Sequence, residues 1–155
     1  MVLTGGCNCR AIRYQIIAEP LFVHVCHCRE CQHDSGGAFN MTMLVLEADF
    51  EITHGKARQV RVRRKSGKQY FSHFCEDCGN PLYGMPVDST GVMVIRPGSL
   101  DGTDFLQPQA HIWVKEKQPW LRLPADIPQF ATYYDPAKTW PTASLERLSQ
   151  INRFL

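Results

Sequence analysis

The sequence predicts a small, mainly β domain that ends in a short helix. Three observations carry this expectation. Ten prolines and eleven glycines are spread through the 155 residues and punctuate short segments. Within those segments apolar and polar residues alternate, or form short apolar runs, as in strands. Near the C-terminus the spacing changes: Leu145, Leu148, Ile151 and Leu155 recur every three to four residues, as on one face of an amphipathic helix.

Taken in order, Ile12, Tyr14 and Ile16 alternate with Arg13 and Gln15, the pattern of a half-buried strand, and Glu19-Pro20 ends it. Leu21 to Val25 reads as a second strand. Ser35-Gly36-Gly37 turns the chain, and Phe39 to Leu46 is apolar enough for a buried strand. Phe50 to Thr53 is a short strand closed by His54-Gly55. Arg58 to Lys65 and Gln69 to Phe74 form a hairpin around Ser66-Gly67-Lys68, and Val92 to Ile95 and Ala110 to Val114 are later strands. Thr142 or Ser144 is placed to cap the final helix. That helix is expected to pack on the domain, with a dimer contact as the alternative.

Length and composition fit one domain over residues 1–155, with 44% hydrophobic residues to build a core and 21% charged. The formal charge of +2 argues neither for nor against nucleic acid. The start, MVLTGGCNCR, lacks the basic-then-apolar pattern of a secretory leader, and no apolar run reaches membrane-span length. The expected compartment is the cytoplasm, where thiols stay reduced and clustered cysteines bind metal or do chemistry. Disulfides are the alternative, although seven cysteines cannot all pair within one chain.

The seven cysteines fall into three clusters: Cys7 and Cys9; Cys26, Cys28 and Cys31; Cys75 and Cys78. Structural zinc is usually closed by four protein ligands, whereas catalytic zinc commonly keeps three and leaves one position for water or substrate. The cysteines therefore divide as four plus three. Cys7, Cys9, Cys75 and Cys78 offer a closed tetrahedral site that would tie the first strand to the middle of the chain. Two unrelated turns, or a different permutation of ligands, are the alternatives. Cys26, Cys28 and Cys31 can occupy three corners of a second tetrahedron from one tight loop. Its fourth corner is left to water, to a substrate sulfur, or to His24, His27 or His33; the open corner is preferred. Zinc with three thiolates carries a net charge of minus one, and a bound thiol is held deprotonated. A nearby cation should offset the charge, and Arg29 is the first candidate. Sulfur-rich sites suit zinc and sulfur-containing guests, so a small thiol is the natural substrate.

These residues resemble the glutathione-dependent formaldehyde-activating enzyme family, whose domain also occurs in centromere protein V. The likeness runs through GGCNCRAIRY at 5–14, CHCRECQHDSGGAF at 26–39, FCEDCGNPLY at 74–83, RPGSLD at 96–101 and HIWVKEKQPW at 111–120. The resemblance implies a small, zinc-binding, β-sandwich-like or coiled β fold holding two zinc ions. It implies a structural zinc on Cys7, Cys9, Cys75 and Cys78 and a catalytic zinc on Cys26, Cys28 and Cys31. It implies a carbon–sulfur lyase that adds glutathione, or a similar thiol, to formaldehyde or another small aldehyde, or reverses that step. No glutathione-contacting residue is matched, and the resemblance says nothing of oligomeric state.

Other residues are read against plainer roles. Lys56, Arg58, Arg61, Arg63, Arg64, Lys65 and Lys68 make one strand face cationic: a charged edge strand, with a cradle for an anionic substrate as the alternative. Nucleic acid is disfavoured without interleaved aromatics or a recognised module. Ser35 to Phe39 is either an ordinary turn or a backbone cradle for a ligand. Glu30, His33 and Asp34 are candidates for an acid or base, and each reads more simply as a surface residue. His73 and His111 read as satisfied core histidines, and Trp113, Trp120 and Trp140 as core or pocket walls. Two further function classes stay open: a non-catalytic zinc module binding a thiol metabolite, protein or nucleic acid, and a redox sensor built on the three-cysteine loop.

Overall fold

The computed structural model describes residues 2–64, 67–88 and 91–151. In chain order the elements are β1 (Leu3–Gly6), β2 (Arg13–Ile16), β3 (Phe22–Cys26), α1 (Arg29–Ser35), β4 (Asn40–Leu46), β5 (Phe50–His54), β6 (Arg58–Arg63), β7 (Gln69–Phe74), β8 (Pro81–Pro86), β9 (Val92–Ile95), β10 (Ala110–Ile112), α2 (Pro136–Thr139) and α3 (Thr142–Ile151). The mainly β expectation with a short C-terminal helix holds.

The strands form two sheets. The smaller runs β1-β2-β5, and the larger runs β10-β3-β4-β9-β8-β7-β6. The named strand pairs are antiparallel except β10, which lies parallel to β3. Side chains of a strand point alternately to opposite faces, and β4 shows the consequence. Met43 and Val45 enter one core with Leu3, Tyr14 and Ile16 of the small sheet and Val23, Met93 and Ile95 of the large one. Leu44 and Leu46 enter a second core with Phe22, Tyr134 and Trp140. The first core is sandwiched between the sheets; the second lies on the outer face of the large sheet beneath the C-terminal segment. A central strand buried on both faces needs a continuous apolar run, and β4 has one.

The helix α3 lays Leu145, Leu148 and Ile151 against the second core, as its spacing requires; Leu155 lies outside the described residues. Its start differs from expectation. The carbonyl of Pro141 accepts the amides of Ser144 and Leu145, so Thr142 and Ser144 lie inside the first turn rather than at the cap. Arg147 anchors the helix, donating to the Glu19 carbonyl at 2.6 Å and to Asp49 at 2.7 Å.

Several elements escape the sequence pattern. β1 reads Leu-Thr-Gly-Gly, poor strand material, yet it pairs with β2 from Leu3↔Ile16 to Gly6↔Arg13. β8 begins and ends in proline, tolerable at strand ends, where a ladder hydrogen bond is not required. The later strand stops at Ile112, not Val114, because Trp113 takes φ +57° and turns the chain. The β6–β7 hairpin forms with Arg63 opposite Gln69; Lys65 and Ser66 lie outside the described residues. Trp140 is buried, but Trp120 is 67% exposed and is not a core residue.

Candidate metal centre

The first sulfur cluster is built on two turns of one design. After β1, Cys7 opens a turn in which its carbonyl accepts from Arg10 N and its amide donates to Ile12. After β7, the Cys75 carbonyl accepts from Gly79 N and its amide donates to Asn80. Each turn needs a left-handed residue: Arg10 at φ +65° and Gly79 at φ +72°. Glycine adopts that conformation without Cβ strain, which explains the glycine that follows the C-x-x-C pair. Asn8 N donates to the Asn80 side chain at 3.1 Å, clamping one turn to the other.

The outcome is that the sulfurs of Cys7, Cys9, Cys75 and Cys78 all lie within 4.8 Å of one another. Cys7 and Cys9 are 3.4 Å apart, and Cys9 and Cys75 3.6 Å. Zinc–sulfur bonds of about 2.3 Å in a tetrahedron require edges of about 3.8 Å, so four free thiols at this spacing fit such an ion. Two of the four are biased toward the thiolate; the Ala11 amide would lower Cys9 too, yet its hydrogen bonds to Cys7 and Cys78 push it up to about 12. Burial alone would raise Cys7, yet it is lowered overall, the Ile12 amide (3.2 Å from its sulfur) being the largest opposing cause. Cys78 is brought down to about 6 by the amides of Asn80 and Cys9. Metal ligation needs thiolates.

The second cluster is made by a strand end meeting a helix start. Cys26 is the last residue of β3 and Cys28 caps α1, its sulfur accepting the Cys31 amide at 3.4 Å. Cys31 lies in the first helical turn. The expected tight loop is therefore a strand end, a two-residue link and a helix start. Gly36, at φ +64°, ends that helix, so the Ser35-Gly36-Gly37 turn is a helix stop. The three sulfurs again lie within 4.8 Å of one another, and among the described residues no histidine nitrogen joins them. Cys28 is held far below a thiol's ordinary value because Cys26 and Cys31 donate to its sulfur, with the amides of Cys31 and Glu30 adding to the effect. Cys26 is driven up as the donor to both neighbours, and burial adds to the rise. These three sulfurs also suit a soft metal ion, and they offer it one fewer protein ligand than the first cluster does.

Two of the nearby histidines are engaged elsewhere. His24 Nδ1 meets the Tyr134 hydroxyl at 2.9 Å, and His27 Nε2 meets His111 Nδ1 at 3.0 Å. His33 is exposed. His111 is buried as expected but not fully satisfied: its Nε2, like His27 Nδ1, has no hydrogen-bond partner among the described residues. His73 is buried with Nε2 3.2 Å from Gln59, but its Nδ1 has no hydrogen-bond partner among the described residues, so it too is not fully satisfied.

The cation facing the triad is not Arg29, whose guanidinium donates to Gln32 at 2.8 Å. It is Arg64, which pairs with Asp34 at 2.5 Å and acts electrostatically on Cys31. Arg96 reaches the same carboxylate at 3.5 Å, so Asp34 is committed to two guanidiniums rather than poised as a base. The basic stretch thus divides: Arg61 and Arg63 are exposed on β6, the edge strand of the large sheet, Arg58 pairs with Glu76, and Arg64 turns inward. A signal existed, since Arg64 is in phase with Val60 and Val62 rather than with Arg61 and Arg63.

Two phenols complete the surroundings. Tyr70 lies opposite Val62, with Arg64 5.7 Å from its ring centroid, and it senses Cys31. Tyr133 stacks on Tyr134 at 4.6 Å and senses both Cys26 and Tyr70. Burial raises Tyr70 above its ordinary value, and partial desolvation raises Tyr133, which is 49% exposed, so both keep their protons at neutral pH. Tyr133 carried no spacing signal; only the return of the C-terminal segment brings it here.

A β-sandwich with four thiols gathered at one point and three at another defines a small thiol-cluster protein with two sites that could each hold a metal ion. The chain belongs to the glutathione-dependent formaldehyde-activating enzyme family, whose model matches residues 2–116. It is 24% identical over 133 residues to a Halomonas elongata protein named "Putative glutathione-dependent formaldehyde-activating enzyme", with 79% of this chain and 82% of that protein covered. A solved structure of a Rhodobacter sphaeroides protein shares the fold at TM-score 0.51 and 16% identity, over 68% of this chain and 91% of that one. Tyr133, Tyr134 and Trp140 lie beyond the matched segment.

Proposed function

We propose that this protein catalyses the reversible addition of a small thiol, glutathione or one like it, to formaldehyde or another small aldehyde. In this reading Cys7, Cys9, Cys75 and Cys78 hold a structural zinc, and Cys26, Cys28 and Cys31 hold a catalytic one. The proposal includes a single domain over 1–155 and a cytoplasmic location, where the thiols remain reduced. The observation that carries it is the unequal pair of sulfur clusters, with Arg64, Tyr70 and Tyr133 within electrostatic reach of the smaller one.

When bound by the triad, zinc would supply a Lewis-acidic centre that favours a guest thiol in its thiolate form. The residues supply the rest. Arg64 offsets the negative charge of the sulfurs and is itself held in place by Asp34. The guest sulfur's electron pair forms the bond to the aldehyde carbon, and the C=O π pair moves to oxygen. Tyr133 Oη donates a proton to that oxygen and is reprotonated by the proton released from the thiol. The product is a hydroxymethyl thioether, and the reverse path uses the same proton in the opposite direction.

The test is the rate of adduct formation from glutathione and formaldehyde, measured against the spontaneous rate. The expected result is a clear acceleration that Cys28→Ser abolishes and Tyr133→Phe lowers by roughly 100-fold. Tight thiol binding with no gain in rate would favour a carrier and sink the enzymatic reading.

A further inference from the structure

The three-thiol centre is assembled from two elements joined by only two residues, His27 and the cap Cys28, so its sulfur spacing depends on how α1 is held against the end of β3. Gln32 occupies that joint. It is buried on α1, and its side-chain amide uses its full hydrogen-bonding capacity of two donors and two acceptor sites. Nε2 donates to the His27 carbonyl at 2.6 Å and to the Glu116 carbonyl at 2.9 Å. Oε1 accepts from Arg29 Nη1 at 2.8 Å and from Gln118 Nε2 at 2.7 Å.

Those partners lie on both sides of the joint. His27 is the linking residue between Cys26 and Cys28, and Arg29 opens the helix that carries Cys31. Glu116 and Gln118 follow β10, whose neighbouring backbone reinforces the hold: the Ile112 carbonyl accepts the His27 amide at 3.0 Å, and the Glu116 carboxylate accepts the Arg29 amide at 2.8 Å. The segment reaches Gln32 through Trp113, an aromatic residue in the left-handed region, a conformation that persists only where surrounding contacts enforce it.

We propose that Gln32 is a positioning residue for the three-thiol centre. Its amide sets the placement of Cys28 and Cys31 relative to Cys26, and with it the affinity of that centre for metal, while the four-thiol centre is untouched. This rests on the reading that the triad holds an ion. A buried amide that satisfies every partner has no substitute in shape and polarity. Leucine would leave two carbonyls and two donors unpaired, and glutamate would set a carboxylate against the two carbonyls that Gln32 now satisfies.

The experiment titrates the full chain with zinc(II) alone, in competition with a chromophoric chelator, alongside visible spectra of the cobalt(II)-substituted protein. Wild type should take two equivalents. In Gln32→Leu and Gln32→Glu, one equivalent should weaken by 10- to 100-fold, the range typical of groups that orient metal ligands. The other equivalent should not move, and the cobalt spectrum of the weakened centre alone should change. Gln118→Ala, which removes one of the four bonds from outside the cysteine segment, should weaken the same equivalent by a smaller factor and keeps the test valid if the Gln32 variants fold poorly. Unchanged affinity in the Gln118 and Gln32 variants, or parallel weakening of both equivalents, would overturn the proposal while leaving the proposed function standing. A wild-type protein that takes only the four-thiol equivalent would overturn both.

Discussion

Removing metal from the four-thiol centre should destabilise the protein far more than removing it from the triad. The reason is the length of chain each centre closes. Cys9 and Cys75 meet at 3.6 Å across a separation of 66 residues. A cross-link over such a loop removes conformational entropy from the unfolded chain worth about 4 kcal/mol, whereas one closing only a few residues is worth about 2 kcal/mol. For a chain of this size, 4 kcal/mol corresponds to roughly 8–16 °C in Tm. The assay is thermal unfolding followed by far-UV circular dichroism during stepwise chelation, with metal content measured at each step. The first equivalent lost should come from the triad with a small change in Tm, and the second with the large one. Cys9→Ser should reproduce the large drop; Cys31→Ser should not. If metal leaves the four-thiol centre and Tm moves by less than about 2 °C, the entropy argument is wrong, and Asn8, Asn80 and the sandwich core alone hold the two turns together.

Two other expectations follow from the core. Tyr14 is buried with its hydroxyl 2.7 Å from Ser99, and burial raises its phenol to about 12 from the ordinary 10. Between those values the unfolded state loses a proton that the folded state keeps, so the stability Tyr14 contributes is intact below pH 10 and is lost as pH rises through about 12, amounting to about 2–3 kcal/mol. Denaturant midpoints measured from pH 9 to 12 should fall accordingly in wild type and stay flatter in Tyr14→Phe; equal slopes would count against the assignment. Arg147 ties α3 to Glu19 and Asp49 through a partly buried pair. Arg147→Ala should cost about 1–2 kcal/mol and speed amide exchange within α3 specifically; unaltered exchange there would show that the apolar face alone docks the helix.

How much was legible beforehand differs by kind of information. The cysteine partition could be read because ligand number is a local chemical property: C-x-C, C-x-C-x-x-C and C-x-x-C each present their sulfurs from one short segment. The buried strand β4 and the face of α3 could be read because periodicity of two and of three to four is imposed on the sequence by burial. β1 and α1 were not legible. A Leu-Thr-Gly-Gly strand and a seven-residue polar helix lack intrinsic preference, and each exists because distant partners pay out hydrogen bonds to it: β2 for the one, Glu116 and Gln118 for the other.

The sequence by itself determined which atoms can bind metal, how many there are, and that short strands would surround them. Only the tertiary structure decided what stands beside them. Arg64 replaced Arg29 as the facing cation, Asp34 was taken up by two guanidiniums, and Tyr133 arrived from a segment more than a hundred residues downstream of Cys26. Ligand chemistry is carried by residue type and spacing, whereas charge compensation and proton supply depend on proximity through space, which strand order and the returning C-terminal segment alone establish.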